Sequence, residues 1–325
     1  MEFSSKCSQT AYRAGAKYSF TCLRPTGVNI STTLWNLWIP PMFSLMTAHT
    51  LIVPDGTLYY ESRGTGPLFV LIPGGNGEAS AYKAVAIELS RRFRVVTYDR
   101  RGYSRSRYTS VPDHENRVLM DADDVARLIK HLSPDARATV FGSGSGAIVA
   151  LTLFAQHSGL VRTLVVHEPP AVSLLPDTDR ERITEAIGLV YEEFRSAGAQ
   201  AAMKKLSEAM SVGTGIGTDR TDPYTPANMK FWMEHEMRQY IQTKIDVELL
   251  KKNVDRLLLV GGRDGRNLAQ CQPNLVLAKS IGSEVIDLPG GHLGYKAHHK
   301  EFAAELLVAL ERRDISRKDG TTKEM

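Results

Sequence analysis

The chain has 325 residues, 42% hydrophobic and 23% charged, proportions of an ordinary globular protein rather than a disordered or fibrous one. A formal charge of +4, with no basic block beside a recognition motif, excludes nucleic acid as an expected partner. Of three cysteines, Cys7 and Cys22 lie near the N-terminus and Cys271 in the body, which argues against a disulfide framework and for a reducing, cytoplasmic setting.

Residues 1–46 carry scattered charge and then an aromatic run, Leu34 to Phe43. That run contains Pro40 and Pro41 and is too short to span a bilayer, so no integral membrane span is expected. The segment reads as a disordered leader or a mis-assigned start, with a peripheral membrane anchor as the alternative. From His49 the pattern becomes strand, turn and strand: Thr50 to Val53, Pro54-Asp55-Gly56, Leu58 to Glu61. Leu68 to Ile72 is wholly apolar, as in a strand covered on both faces. It enters Pro73-Gly74-Gly75-Asn76-Gly77 and then a helix near Ala79 to Arg91. A strand at Val95 to Tyr98, the corner Asp99-Arg100-Arg101-Gly102 and a helix at about Glu115 to Leu132 follow.

Ala138 to Phe141 then runs into Gly142-Ser143-Gly144-Ser145-Gly146 and leaves as an apolar helix. Strand, sharp turn and helix match a nucleophile elbow, whose signature is G-x-S-x-G. With Gly142 and Gly146 as the outer glycines, the central position is Gly144, where the signature has serine. Shifting the register by one makes Ser145 central, so Ser145 stands as an alternative nucleophile. In plain structural terms both serines are turn and helix-start residues.

Val161 to His167 is a further strand, closed by Glu168-Pro169-Pro170. Residues 171–250 are helical in pattern, broken by a glycine-rich loop at Ser211 to Gly217. Arg256 to Val260 resumes as a strand before Gly261-Gly262-Arg263-Asp264-Gly265. A helix, a strand at Glu284 to Leu288, Pro289-Gly290-Gly291-His292 and a last helix from His299 to Arg312 complete the body. The alternation predicts an α/β protein with a mostly parallel, doubly wound sheet. Its expected parts are a core at 47–170 and 251–312, a helical lid at 171–250 and a disordered tail at 313–325. No metal-ligand spacing and no dinucleotide fingerprint is present, so neither metal nor cofactor is expected.

The ordered set of PGGNG, YDRRGYSRS, the elbow, HEPP and PGGHLGY resembles the α/β-hydrolase superfamily from about residue 49 to 312. It is similar above all to microbial hydrolases that include members from fungal secondary-metabolite clusters. The resemblance implies that His292 is the general base and Asp264 its carboxylate partner. It also implies that backbone N–H groups of Gly75 or Asn76 and of Ser145 form an oxyanion hole. By the same likeness Asp99 and Arg101 form a structural ion pair, and His167 and Glu168 brace the sheet edge. In the lid, Trp232, His235 and Glu236 are candidates to line the pocket, or else belong to an amphipathic helix with solvated charges.

Three functions stay open on these residues. One is a hydrolase in which a His–Asp dyad activates water or a substrate hydroxyl to open an epoxide or reactive ester in an apolar, polyketide-like substrate. The second is a serine esterase using Ser145. The third is a non-catalytic small-molecule-binding protein that retains the pocket.

Overall fold

The computed structural model describes residues 45–211 and 225–321. The leader up to residue 44 and most of the Ser211–Gly217 loop lie outside that range. β1 (Thr47–Val53) and β2 (Gly56–Arg63) form an antiparallel hairpin whose turn is made by Asp55 at φ +58°. β3 (Leu68–Ile72) leads through a short turn, Ala79–Tyr82, into α1 (Lys83–Leu89) and β4 (Arg94–Tyr98). A two-residue strand, β5 (Arg107–Tyr108), pairs with β2, and α2 (Arg117–Leu132) brings the chain to β6 (Ala138–Ser143). Then come α3 (Ser145–His157) and β7 (Val161–His167).

The sheet order is β1-β2-β4-β3-β6-β7-β8-β9. Every pair from β4 onward in that order is parallel. The alternation along β3 shows why so apolar a strand is needed. Leu68, Val70 and Ile72 enter one core with α2 and α3, while Phe69 and Leu71 enter another with α1 and the C-terminal helix. A strand covered on both faces has no polar side to spare. α3 lies innermost, buried without interruption from Ser145 to Phe154.

Between β7 and β8 sits a helical insertion: α4 (Asp177–Ala197), α5 (Ala199–Ser211), α6 (Pro226–His235), α7 (Met237–Ile241) and α8 (Val247–Lys252). It has its own apolar cluster, which includes Val190, Leu206, Met233 and Met237. The sheet resumes with β8 (Leu257–Gly262), α9 (Gln272–Ile281) and β9 (Val285–Leu288), followed by α10 (Gly294–Ala297) and α11 (His299–Thr321).

The last helix does not stop at Arg312 as the pattern suggested. Arg313 donates to the Val254 carbonyl at 3.1 Å, tying the first turn of the continuation to the body. Among the described residues no helix is long and apolar enough to cross a membrane.

Candidate active site

The turn from β6 into α3 is built on three glycines with different tasks. A Cβ on Gly142 would lie 2.2 Å from the Gly146 carbonyl oxygen, and one on Gly146 would lie 2.2 Å from the Ile72 oxygen. Gly142 lets β6 and the start of α3 touch, and Gly146 lets α3 lie against the end of β3. Gly144 instead adopts φ +57° and ψ −124°, a conformation costly for other residues. A Cβ there would meet His292 Nε2 at 3.4 Å, an ordinary contact. The imidazole nitrogen therefore faces the bare Cα of Gly144.

The flanking serines point elsewhere. Ser143 Oγ is hydrogen-bonded to His167 Nδ1 at 2.8 Å, and Ser145 Oγ accepts the indole N–H of Trp232 at 3.1 Å. Ser145 is the first residue of α3. The alternative that makes it the elbow nucleophile finds no support in this geometry, since the imidazole faces Gly144.

The partner of His292 is Glu168, not Asp264. His292 Nδ1 lies 2.6 Å from Glu168 Oε2, while Glu168 Oε1 accepts the Gly262 N–H at 2.8 Å. Glu168 follows β7 directly and takes φ +46°, which turns its side chain into the site, where it is 1% exposed. Asp264 sits in the turn after β8, exposed, its own N–H spent on the Gly290 carbonyl at 3.1 Å. Asp287 pairs with Arg266.

Burial raises the Glu168 carboxyl pKa, but His167, the bond from His292 and the Gly262 N–H outweigh it and lower the pKa to about 2. An ionised Glu168 takes the Nδ1 proton as a hydrogen bond, which leaves the lone pair of neutral His292 on Nε2, toward Gly144. His167 is fully buried, and desolvation lowers its pKa to about 4. It stacks on His292 at 5.7 Å between centroids. β7 lies between β6 and β8, so His167 and Glu168 stand inside the sheet rather than bracing an edge.

His167, Glu168 and His292 offer ligand atoms within 4.8 Å of one another. Two atoms each about 2.1 Å from a tetrahedral zinc stand more than 3 Å apart. The 2.6 Å between Nδ1 and Oε2 is instead a hydrogen-bond distance.

The loop after β3 faces the elbow. Gly74 O accepts from Gly77 N at 3.0 Å and from Arg100 Nη2 at 2.8 Å. Neither the Gly75 and Asn76 N–H groups nor that of Ser145 donates to another group among the described residues. Asp99 and Arg101 do not pair with each other. Asp99 holds Arg105 and the Ala79 N–H, and Arg101 makes a two-pronged pair with Asp124 at 2.5 and 2.9 Å.

The three insertion candidates separate. The Trp232 indole lies against Gly75, 2.9 Å from where a Cβ would be. Glu236 is buried away from solvent and accepts from Arg100 and Arg117 at 2.6 to 2.9 Å. It is neither a solvated charge nor a pocket wall. His235 stacks on His114 at 3.7 Å and borders a shallow cleft of about 320 Å³ with Glu234, Arg238, Gln239 and Gln242, to which no elbow or loop residue contributes. Arg100, Arg117 and Asn228, which shape the site from behind, were not singled out by the sequence. The repeated arginines of the Asp99–Gly102 corner were the available signal.

Residues 67–295 match the α/β-hydrolase-fold family. The chain belongs to it. Among curated relatives, this α/β-hydrolase is 31% identical over 267 residues to the uncharacterized hydrolase YraK of Bacillus subtilis (strain 168), covering 81% of this chain and 96% of that one. It is 33% identical over 259 residues to a zearalenone hydrolase of Cladophialophora bantiana, covering 78% and 93%. Among solved structures, a Pseudomonas aeruginosa chain provisionally described as an epoxide hydrolase aligns with TM-score 0.63 at 18% identity, over 86% of this chain and 99% of that one. An enol-lactonase from Burkholderia xenovorans LB400 aligns with TM-score 0.57 at 18% identity, over 81% and 100%. At such identities the structural likeness speaks for the fold.

Proposed function

We propose that this α/β-hydrolase opens a lactone or similarly reactive ester of an apolar, polyketide-like substrate by direct attack of water, with His292 as general base and Glu168 as its counter-charge. The observation that carries the reading is the imidazole Nε2 facing Gly144, where a serine hydroxyl would otherwise stand. A water there gives its proton to Nε2 as its oxygen bonds to the carbonyl carbon. The carbonyl electron pair moves onto oxygen, within reach of the N–H groups of Gly75 or Asn76 and of Ser145. Collapse breaks the ring C–O bond, and the imidazolium returns the proton to the leaving alkoxide, giving a hydroxy acid. Each oxyanion donor is worth about 2.7–4 kcal/mol when the anion forms, and none of this requires a side chain at Gly144. An epoxide is opened by the same base with its oxygen held by the same donors. The zearalenone hydrolases among the relatives make a resorcylic lactone the first substrate to try.

The test is hydrolysis of zearalenone followed by mass spectrometry. We expect turnover without a protein adduct, and its loss in His292→Ala with binding retained. Gly144→Ser places a hydroxyl next to Nε2 and should bring a covalent acyl intermediate, while lowering stability by about 1–3 kcal/mol because φ is positive. An acyl adduct on the native protein overturns the direct-water route. The same glycine favours a second reading, a small-molecule-binding protein without turnover. That reading is upheld if zearalenone is bound but never hydrolysed.

A further inference from the structure

We propose that α6, together with the Glu236 that caps its C-terminal end, is a positioning element for the oxyanion loop, holding three consecutive loop residues, the third of them through Arg100. The inference rests on the reading of Gly75, Asn76 and Ser145 as oxyanion donors. Asn228, Trp232 and Glu236 are spaced four apart. The helical ladder runs through the last of them, since Glu236 N donates to Trp232 O at 2.9 Å. Residues at that spacing share a face.

Asn228 Nδ2 donates to the Asn76 carbonyl at 3.0 Å. One turn later, the Trp232 ring rests on Gly75 and its N–H reaches Ser145 Oγ at 3.1 Å. One turn further, Glu236 grips Arg100, whose Nη2 donates to the Gly74 carbonyl at 2.8 Å. The helix meets the loop in the order 76, 75, 74.

A trans peptide unit is planar, with its C=O and N–H pointing in opposite directions. Fixing the Gly74 oxygen on Arg100 therefore fixes where the Gly75 N–H points. Fixing the Asn76 oxygen on Asn228 limits the next peptide, and the Gly75–Asn76 unit between them has little freedom left. A loop containing Gly74, Gly75 and Gly77 has large backbone freedom of its own. The clamp removes that freedom before the anion forms, which is the condition for preorganised donors to accelerate a reaction. Asn228 is 3% exposed and is held in turn by Ser104, whose N–H donates to Asn228 Oδ1 at 3.2 Å. Its orientation is thereby set. Asn228, Trp232, Glu236 and Arg100 are positioning residues in this scheme, acting through the loop.

The test compares Asn228→Ala with Val190→Ala, which loosens the insertion's own apolar cluster without touching the loop. Carbonyl-13C glycine and 15N-asparagine labelling reports the Gly75–Asn76 peptide by NMR, and zearalenone hydrolysis gives kcat and KM. We expect Asn228→Ala to split or broaden the Asn76 amide resonance and to lower kcat by about 10- to 100-fold with KM within about twofold. Val190→Ala should lower Tm and change neither the resonance nor kcat. Asn228→Asp, which keeps the shape but puts an acceptor opposite the Asn76 carbonyl, should repeat the result if the alanine variant does not fold. A sharp, unshifted Asn76 resonance in the folded Asn228 variant overturns the clamp whether or not the protein turns zearalenone over. A perturbed resonance with kcat unchanged overturns its positioning role. A perturbed resonance in a protein that never hydrolyses zearalenone upholds the clamp and counts against the substrate reading.

Discussion

Glu168 and Asp264 leave adjacent parallel strands at the same end of the sheet, and one backbone angle separates their fates. At φ +46° Glu168 turns inward to His292, while Asp264 stays exposed. Positive φ on a residue other than glycine is costly and marks a position held by its surroundings. Glu168→Gln should then be far more damaging than the change in charge alone suggests. With its amide oxygen on the Gly262 N–H, the glutamine would aim its NH2 at His292 Nδ1 and force the proton onto Nε2, the wrong tautomer for a base at Gly144. Turnover should fall about 10³- to 10⁴-fold, and 15N NMR of the imidazole should report the swapped tautomer. Asp264→Asn should leave both within about twofold. A severe loss in Asp264→Asn with Glu168→Gln near normal would reverse the assignment.

The insertion is joined to the body by buried charge rather than by apolar contact alone. Arg100, Arg117, Asp121 and Glu236 are each at most 1% exposed. Arg100 bonds Asp121 at 2.8 Å and Glu236 at 2.6 Å, Arg117 bonds Glu236 at 2.7 Å, and Tyr240 donates to Asp121 at 2.7 Å. Two cations face two carboxylates, so the set is neutral as long as it is complete. Desolvation makes such a network a modest net contributor, yet removing one member strands the others. Glu236→Gln should cost about 3–5 kcal/mol, a fall in Tm on the order of 10 °C for a chain of this size. Thermal melts of the purified variant check it. A shift under about 2 °C would mean that the two guanidiniums find their counter-charge elsewhere.

At the scale of the whole molecule, the site is assembled where parallel strands end, from the loop after β3, the elbow after β6, Glu168 after β7 and His292 after β9. Placing a neutral imidazole in the middle of this assembly links stability to pH. Burial lowers the His167 pKa to about 4 from an ordinary 6.5. Between those values the unfolded chain holds a proton that the folded chain rejects, so acidification favours unfolding. The loss begins near pH 6.5 and reaches about 3 kcal/mol by pH 4. Glu168 acts with the same sign lower down, between 4.5 and about 2. Asp124, raised to about 6 by burial despite its Arg101 partner, acts oppositely but is common to wild type and variant. In urea titrations the stability difference between wild type and His167→Asn should therefore shrink by about 2–3 kcal/mol from pH 7 to 4.5. A difference that does not change with pH would mean that His167 titrates alike in both states.

The sequence by itself determined the sheet and its order of elements. Apolar runs such as Leu68–Ile72, and the helices between them, are local patterns whose burial follows from composition alone. It determined the elbow as well, because Gly142 is demanded by the close approach of Gly146 four residues later, within the same turn. Only the tertiary structure decided which carboxylate holds His292, since Glu168 and Asp264 have the same chemistry and differ in a backbone angle set by packing. It alone decided that Glu236 is a buried ionic anchor, not a solvated charge. Its partners Arg100 and Arg117 lie far away along the chain, and no local pattern records a contact closed by the fold.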